Sequence, residues 1–101
     1  MNKIPYEERR DTYNAAFKRL GVIHQVYVAI EEMSEVTKAL TKFLRDPAHI
    51  EAAMPSIIEE VADATIMLEQ LRLIFGINEE VCEAMDAKIE RLKERVSNGS
   101  I

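Results

Sequence analysis

The sequence predicts an all-α fold of about four helices. Apolar residues recur at three- and four-residue spacing in four separate segments, no segment alternates with period two over a useful length, and glycine or proline punctuates the chain where those segments end.

The first runs roughly from Pro5 to Leu20, with Pro5 near its first turn and Tyr13, Phe17 and Leu20 at helical spacing before Gly21 interrupts it. The second, about Val22 to Leu44, carries Ile23, Val26, Ile30, Met33, Leu40 and Leu44 on one stripe. It ends at "RDP", where Asp46 and Pro47 predict a cap and first turn for a minor helical turn. The third, about Pro55 to Phe75, has Ile57, Val61, Ala64, Leu68 and Phe75 on one stripe and stops at Gly76, the usual residue for a left-handed cap. Asn78 is expected to cap the fourth, whose stripe is Val81, Met85, Ile89, Leu92 and Val96. The chain is thus read as one domain over 1–101, with 1–21 a short N-terminal helix and 97–101 a frayed tail.

Composition narrows the function classes. The chain has 101 residues, 48% hydrophobic and 31% charged, which fits one compact domain. A chain this small buries about two-thirds of its unfolded surface, so pairing with copies of itself is expected. Its net charge of −5, from 18 acidic and 13 basic residues, argues against a nucleic-acid polymer as partner, because neutralising phosphates needs a basic surface. The single cysteine, Cys82, forms no internal disulfide and no CxxC or Cys/His cluster is present, which points to a reducing compartment. No stretch has the apolar core of a signal peptide or the ~20 apolar residues of a membrane span. A cytoplasmic protein without membrane contact is the expectation.

The chemistry is carried by carboxylates. At about 100° per residue, Glu32 and Glu35 lie nearly opposite the Ile30 stripe, yet that opposite face also carries Val28, Val36, Ala39 and Phe43. Gln25 shares this second face and is a candidate substrate contact. The third helix repeats the arrangement, with Glu60 and Asp63 opposite the Val61 stripe beside Met67 and Ile74. If the two second faces meet, four carboxylates converge. Two like charges ~5 Å apart repel by about 3 kcal/mol at an effective dielectric of ~20, so such a site calls for a cation or for protonation. Mg²⁺ suits it, since it prefers oxygen ligands and retains waters that leave room for phosphates. The competing reading is that both pairs are solvated helix faces, with Glu35 one turn from Lys38.

"EEMSEVTKAL", then "IIEEVADATIML", then "FGINEEVCEAMDAKIERLKERV" together resemble the MazG-like branch of the all-α nucleoside triphosphate pyrophosphohydrolases. The resemblance covers roughly Gln25 to Val96. Glu32 and Glu35 match the family's ExxE, and Glu60 and Asp63 match its ExxD on a second, antiparallel helix. It implies an antiparallel all-α bundle that forms a dimer or a dimer of dimers, with Mg²⁺ held by Glu32, Glu35, Glu60 and Asp63. The implied reaction is hydrolysis of a nucleoside triphosphate to the monophosphate and pyrophosphate, the protein mainly positioning and screening charge. Glu31 and Glu59 precede the pairs and are expected either to orient ligand waters or to accept a proton. Lys88 and Arg91, continued by Arg95, form a row on the fourth helix that would face phosphates, with Lys38 a further candidate. The first helix matches the family poorly.

Other residues carry less. His24 and His49 have Gly21 and Asp46, not a glutamate, three positions earlier, which counts against the Glu-x-x-His motifs of a di-iron bundle. The "ATIML" after Asp63 lacks the Tyr-His pair common in phosphoribosyl-ATP pyrophosphatases. Cys82 reads as a small packing residue, Met33, Met54, Met67 and Met85 as core fillers, and Tyr13, Phe17 and Tyr27 as core or subunit contacts. The alternative function is a non-enzymatic helical interaction and oligomerisation module with solvated acidic faces.

Overall fold

Gly21 ends one helix and begins the next. Its N–H donates to the Phe17 carbonyl at 2.8 Å and its own carbonyl accepts from the Gln25 N–H at 3.2 Å, with φ at +90°. That positive φ, with ψ at 163°, is open essentially to glycine alone, so the chain turns sharply here without an intervening loop. The computed structural model describes residues 2–101, and in them the elements are α1 (Tyr6–Leu20), α2 (Val22–Arg45), a 3₁₀ turn (Pro47–His49), α3 (Ile50–Ile74) and α4 (Asn78–Ser97). No strand occurs among the described residues, and none of their helices is long and apolar enough to cross a membrane.

Three boundaries differ from expectation. α3 starts at Ile50, so Pro55 lies inside the helix rather than at its first turn. Because Pro55 stands only in the second turn, it removes one early backbone hydrogen bond while the rest of the helix continues. Ile77, not Asn78, is the N-cap of α4, and no side chain caps it. The tail is also closed rather than frayed at Asn98: Gly99, at φ +70°, lets the Ser100 N–H reach the Arg95 carbonyl at 2.9 Å. The end of α3 uses the same Schellman closure, with Gly76 at φ +62° and the Ile77 N–H on the Arg72 carbonyl at 3.0 Å.

α2 and α3 form the central pair, and their register can be read from two contacts. Gln25 meets Gln70, and Glu32 meets Asp63, so seven residues forward on α2 correspond to seven back on α3. The pair is therefore antiparallel. What it encloses is small: Ala29 and Ala39 from α2, Ala53 and Ala64 from α3, with Met67. Alanines on facing ridges allow a close helix approach, which brings the polar groups of the same faces within reach of one another. α1 lies across this pair, burying Tyr13, whereas α4 packs on α3 and buries none of its residues.

The face with bulky side chains is the outer one. Ile23, Ile30 and Leu44 are 71%, 53% and 69% exposed, and the α4 stripe of Met85, Ile89, Leu92 and Val96 is open as well. It is the second faces, those bearing the acidic pairs, that meet inside the chain. Met33, Met54 and Met85 are accordingly exposed and only Met67 of that group is a core filler; Cys82 too is exposed instead of packed.

Candidate metal centre

Glu32 of α2 and Glu60 and Asp63 of α3 each direct a carboxylate oxygen into one cluster, with the three oxygens within 4.8 Å of one another. All three side chains are half-buried. Their convergence follows from the antiparallel register: Glu32 sits opposite Asp63, and Glu60 is one turn earlier on α3 along the same face. Val28, Ile66 and Met67 line the small pocket that opens over Glu32 and Asp63, so one side of the acidic group is apolar.

The electrostatics are those of uncompensated acids. Burial raises the Glu32 carboxyl above the usual range, and the charges of Asp63, Glu60, Glu35 and Glu31 raise it further. Glu60 is raised first by burial and then by Glu35, Asp63 and Glu59, with Lys38 acting in the opposite direction. Both shifts mean that the ionised cluster is electrostatically unfavourable when alone. A divalent cation removes that cost. Octahedral Mg²⁺ with oxygens at about 2.1 Å places ligand pairs about 3 to 4 Å apart, so three oxygens within 4.8 Å need only a small rotamer adjustment to share one ion. The donor set, all carboxylate oxygen and without nitrogen or sulfur, fits Mg²⁺ or Mn²⁺.

Not every candidate residue arrives at this place. Glu35 lies outside the three-oxygen cluster and is exposed, although its charge acts on both Glu32 and Glu60. Glu31 is likewise exposed at the rim. Lys38 is the one cation felt by Glu60. Lys88 and Arg91 are exposed on α4 and exert no resolved influence on the cluster within this chain. Gln25 does share the face of Glu32, but it is 4% exposed and both ends of its amide are used: Nε2 donates to Gln70 Oε1 at 2.7 Å, and Oε1 meets His24 Nδ1 at 2.8 Å. In this position Gln25 cross-links α2 to α3 and is closed to solvent.

One cluster was not foreseen. On α1, Tyr13 donates its hydroxyl to Glu69 Oε2 at 2.8 Å and Arg9 Nε donates to the same oxygen at 3.1 Å. These residues line a cleft of about 700 Å³ between residues 2–4, α1 and α3, whose floor includes Ala62 and Ile66. Ile66 also lines the pocket over Glu32 and Asp63, so cleft and acidic cluster adjoin. Arg9 and Tyr13 stand one turn apart on α1, but the 56-residue separation of Tyr13 and Glu69 leaves no local signal that joins them to α3.

No family model, curated protein or solved structure matches the chain.

Proposed function

We propose that the protein is a Mg²⁺-dependent nucleotide pyrophosphohydrolase, converting a nucleoside triphosphate to the monophosphate and pyrophosphate. The observation that carries this reading is the convergence of Glu32, Glu60 and Asp63 from two helices, in a half-buried setting that raises the carboxyls, beside a cleft of ligand size. Glu32, Glu60 and Asp63 would hold the ion, with Glu35 reaching it after a rotamer change. When bound, Mg²⁺ would supply positive charge against the phosphate oxygens and lower the pKa of a nearby water. Glu31, exposed at the rim, would take the proton that this water loses, and Lys38 would add a protein cation on the same side. The water oxygen bonds to the α-phosphorus as the bond from that phosphorus to the bridging oxygen breaks, and pyrophosphate leaves. The adjoining cleft, with Tyr13 and Arg9 in its wall, has room for the nucleoside.

Turnover in ¹⁸O-water tests the reading. Attack at the α-phosphorus puts the label in the monophosphate; label in pyrophosphate, or no Mg²⁺-dependent turnover of any triphosphate, would overturn it. A helical interaction module is the second reading, favoured by the open apolar stripes of α2 and α4.

A further inference from the structure

Two arginines meet near the C-terminal end of α3. Arg9 of α1 and Arg72 of α3, with Tyr6, Glu69 and Asn78, line a second cavity of about 360 Å³. Arg72 is nine residues beyond Asp63, about 14 Å along the helix, so this cavity is a different place from the candidate metal centre. Arg9 and Glu69 also line the cleft between α1 and α3, and the two spaces therefore share a wall.

The charges in this cavity do not balance. Glu69 is the one acid of its lining, and Glu69 Oε2 is already shared by Arg9 Nε and the Tyr13 hydroxyl. Glu79 and Glu80, in the adjoining first turn of α4, are exposed and outside the lining. Arg72 is half-buried and makes no ion pair among the described residues. Its Nη2 rests on the Cys82 sulfur at 2.9 Å, a weak acceptor, and its Nε is buried with no partner at all. A place in the last turn of α3 suits a cation through the helix dipole, yet it supplies this Nε–H with no acceptor. Leaving a donor of a charged group buried and unsatisfied is costly, and an oxyanion would bring both the missing acceptor and the missing charge. Arg9 offers a second arm. Its Nε and Nη1 are engaged by Glu69 and by the Ile4 carbonyl, its Nη2 has no partner, and the Tyr6 ring centroid lies 5.5 Å from its Cζ.

We propose that this cavity binds a phosphate group, gripped by the Arg72 guanidinium with Arg9 Nη2 as a further donor. Nε–H and Nη2–H lie on one edge of the Arg72 guanidinium and take two phosphate oxygens together, Nη2 exchanging sulfur for oxygen. Arms from two different helices suit a tetrahedral anion, whose oxygens point in several directions, better than a planar carboxylate. The phosphate is either free or the end group of a larger ligand that also fills the adjoining cleft.

The test is a titration with inorganic phosphate, in chelator and at constant ionic strength, read from the arginine Nε–H signals in ¹H–¹⁵N spectra. The Arg72 signal should shift saturably, and phosphate should raise the melting temperature. Arg72→Gln should weaken binding about tenfold or more, and Arg72→Lys should restore only part of it. Arg10→Gln, exposed on α1 and outside the cavity, should change nothing. Arg9→Gln, expected to weaken binding as well, keeps the test decisive if Arg72→Gln does not fold. A nucleoside monophosphate under the same conditions assigns the source: tighter binding than phosphate, with the Tyr13 signals moving too, puts the group on a ligand that fills the cleft, and equal or weaker binding makes it a free anion. No saturable shift at Arg72, equal shifts at every arginine, or unchanged binding in a folded Arg72→Gln would overturn the assignment while leaving the reading of the metal centre untouched.

Discussion

Glu32 on α2 and Asp63 on α3 stand opposite one another in the same antiparallel register that pairs Gln25 with Gln70, two helical turns away. The polar pair fixes the register, and the register brings the acids together.

Without a cation, stability should fall as pH rises above the ordinary carboxylate range. Glu32 and Glu60 have folded-state pKa values raised above those of the unfolded chain, so the folded state binds more protons in that window. Protonation therefore favours the fold, and the contribution is lost as pH climbs through the raised values. Thermal melts in chelator across pH 4 to 8 should show this decline, and Glu60→Gln should flatten it and raise the neutral-pH melting temperature. A melting temperature that rises steadily to neutrality, unchanged by Glu60→Gln, would contradict the account.

Divalent cations should reverse that loss. Mg²⁺ or Mn²⁺ should raise the melting temperature more at pH 8 than at pH 5, since the ligands must be ionised to bind. Asp63→Asn should weaken cation binding by about tenfold or more in calorimetry, a lower bound set by what loss of a residue supporting the ligands costs.

Gln70→Ala leaves the Gln25 amide without its 2.7 Å partner in a buried position. Urea titration at fixed protein concentration should show a loss of about 1–3 kcal/mol. The double change Gln25→Leu with Gln70→Leu should lose less, because no polar group is then stranded.

Gly76→Ala should cost about 1–2 kcal/mol, read by the same titration. The position has φ +62° and nothing within 4 Å of an added Cβ, so the penalty is backbone strain alone. Gly76→Asn should cost less.

The helices were legible because period and punctuation are local. Gly21 and Gly76 mark their boundaries through conformations that few other residues adopt. Pro55 misled because a proline signals a helix start, and it sits one turn too far in to be one. Which face of α2 turns inward was not legible. Size favours Ile23, Ile30 and Leu44 as core, but the helices close on Ala29, Ala39, Ala53 and Ala64, whose small volume permits contact. The acidic pairs were visible as i,i+3 spacings, and their convergence needed only the inner faces to meet. Gln25, read as open to substrate from its face, is tied up by a residue 45 positions away, which no periodicity reports. The Arg9, Tyr13 and Glu69 cluster was invisible for the same reason.

The most direct measurement is pyrophosphate release from a panel of canonical and modified nucleoside triphosphates, with and without Mg²⁺, by the wild-type chain and by Asp63→Asn. The account predicts release that requires the cation and is abolished, or nearly so, by a substitution that leaves the helical content unchanged. Release that persists in Asp63→Asn, or no release from any triphosphate by a folded and cation-loaded protein, would contradict it.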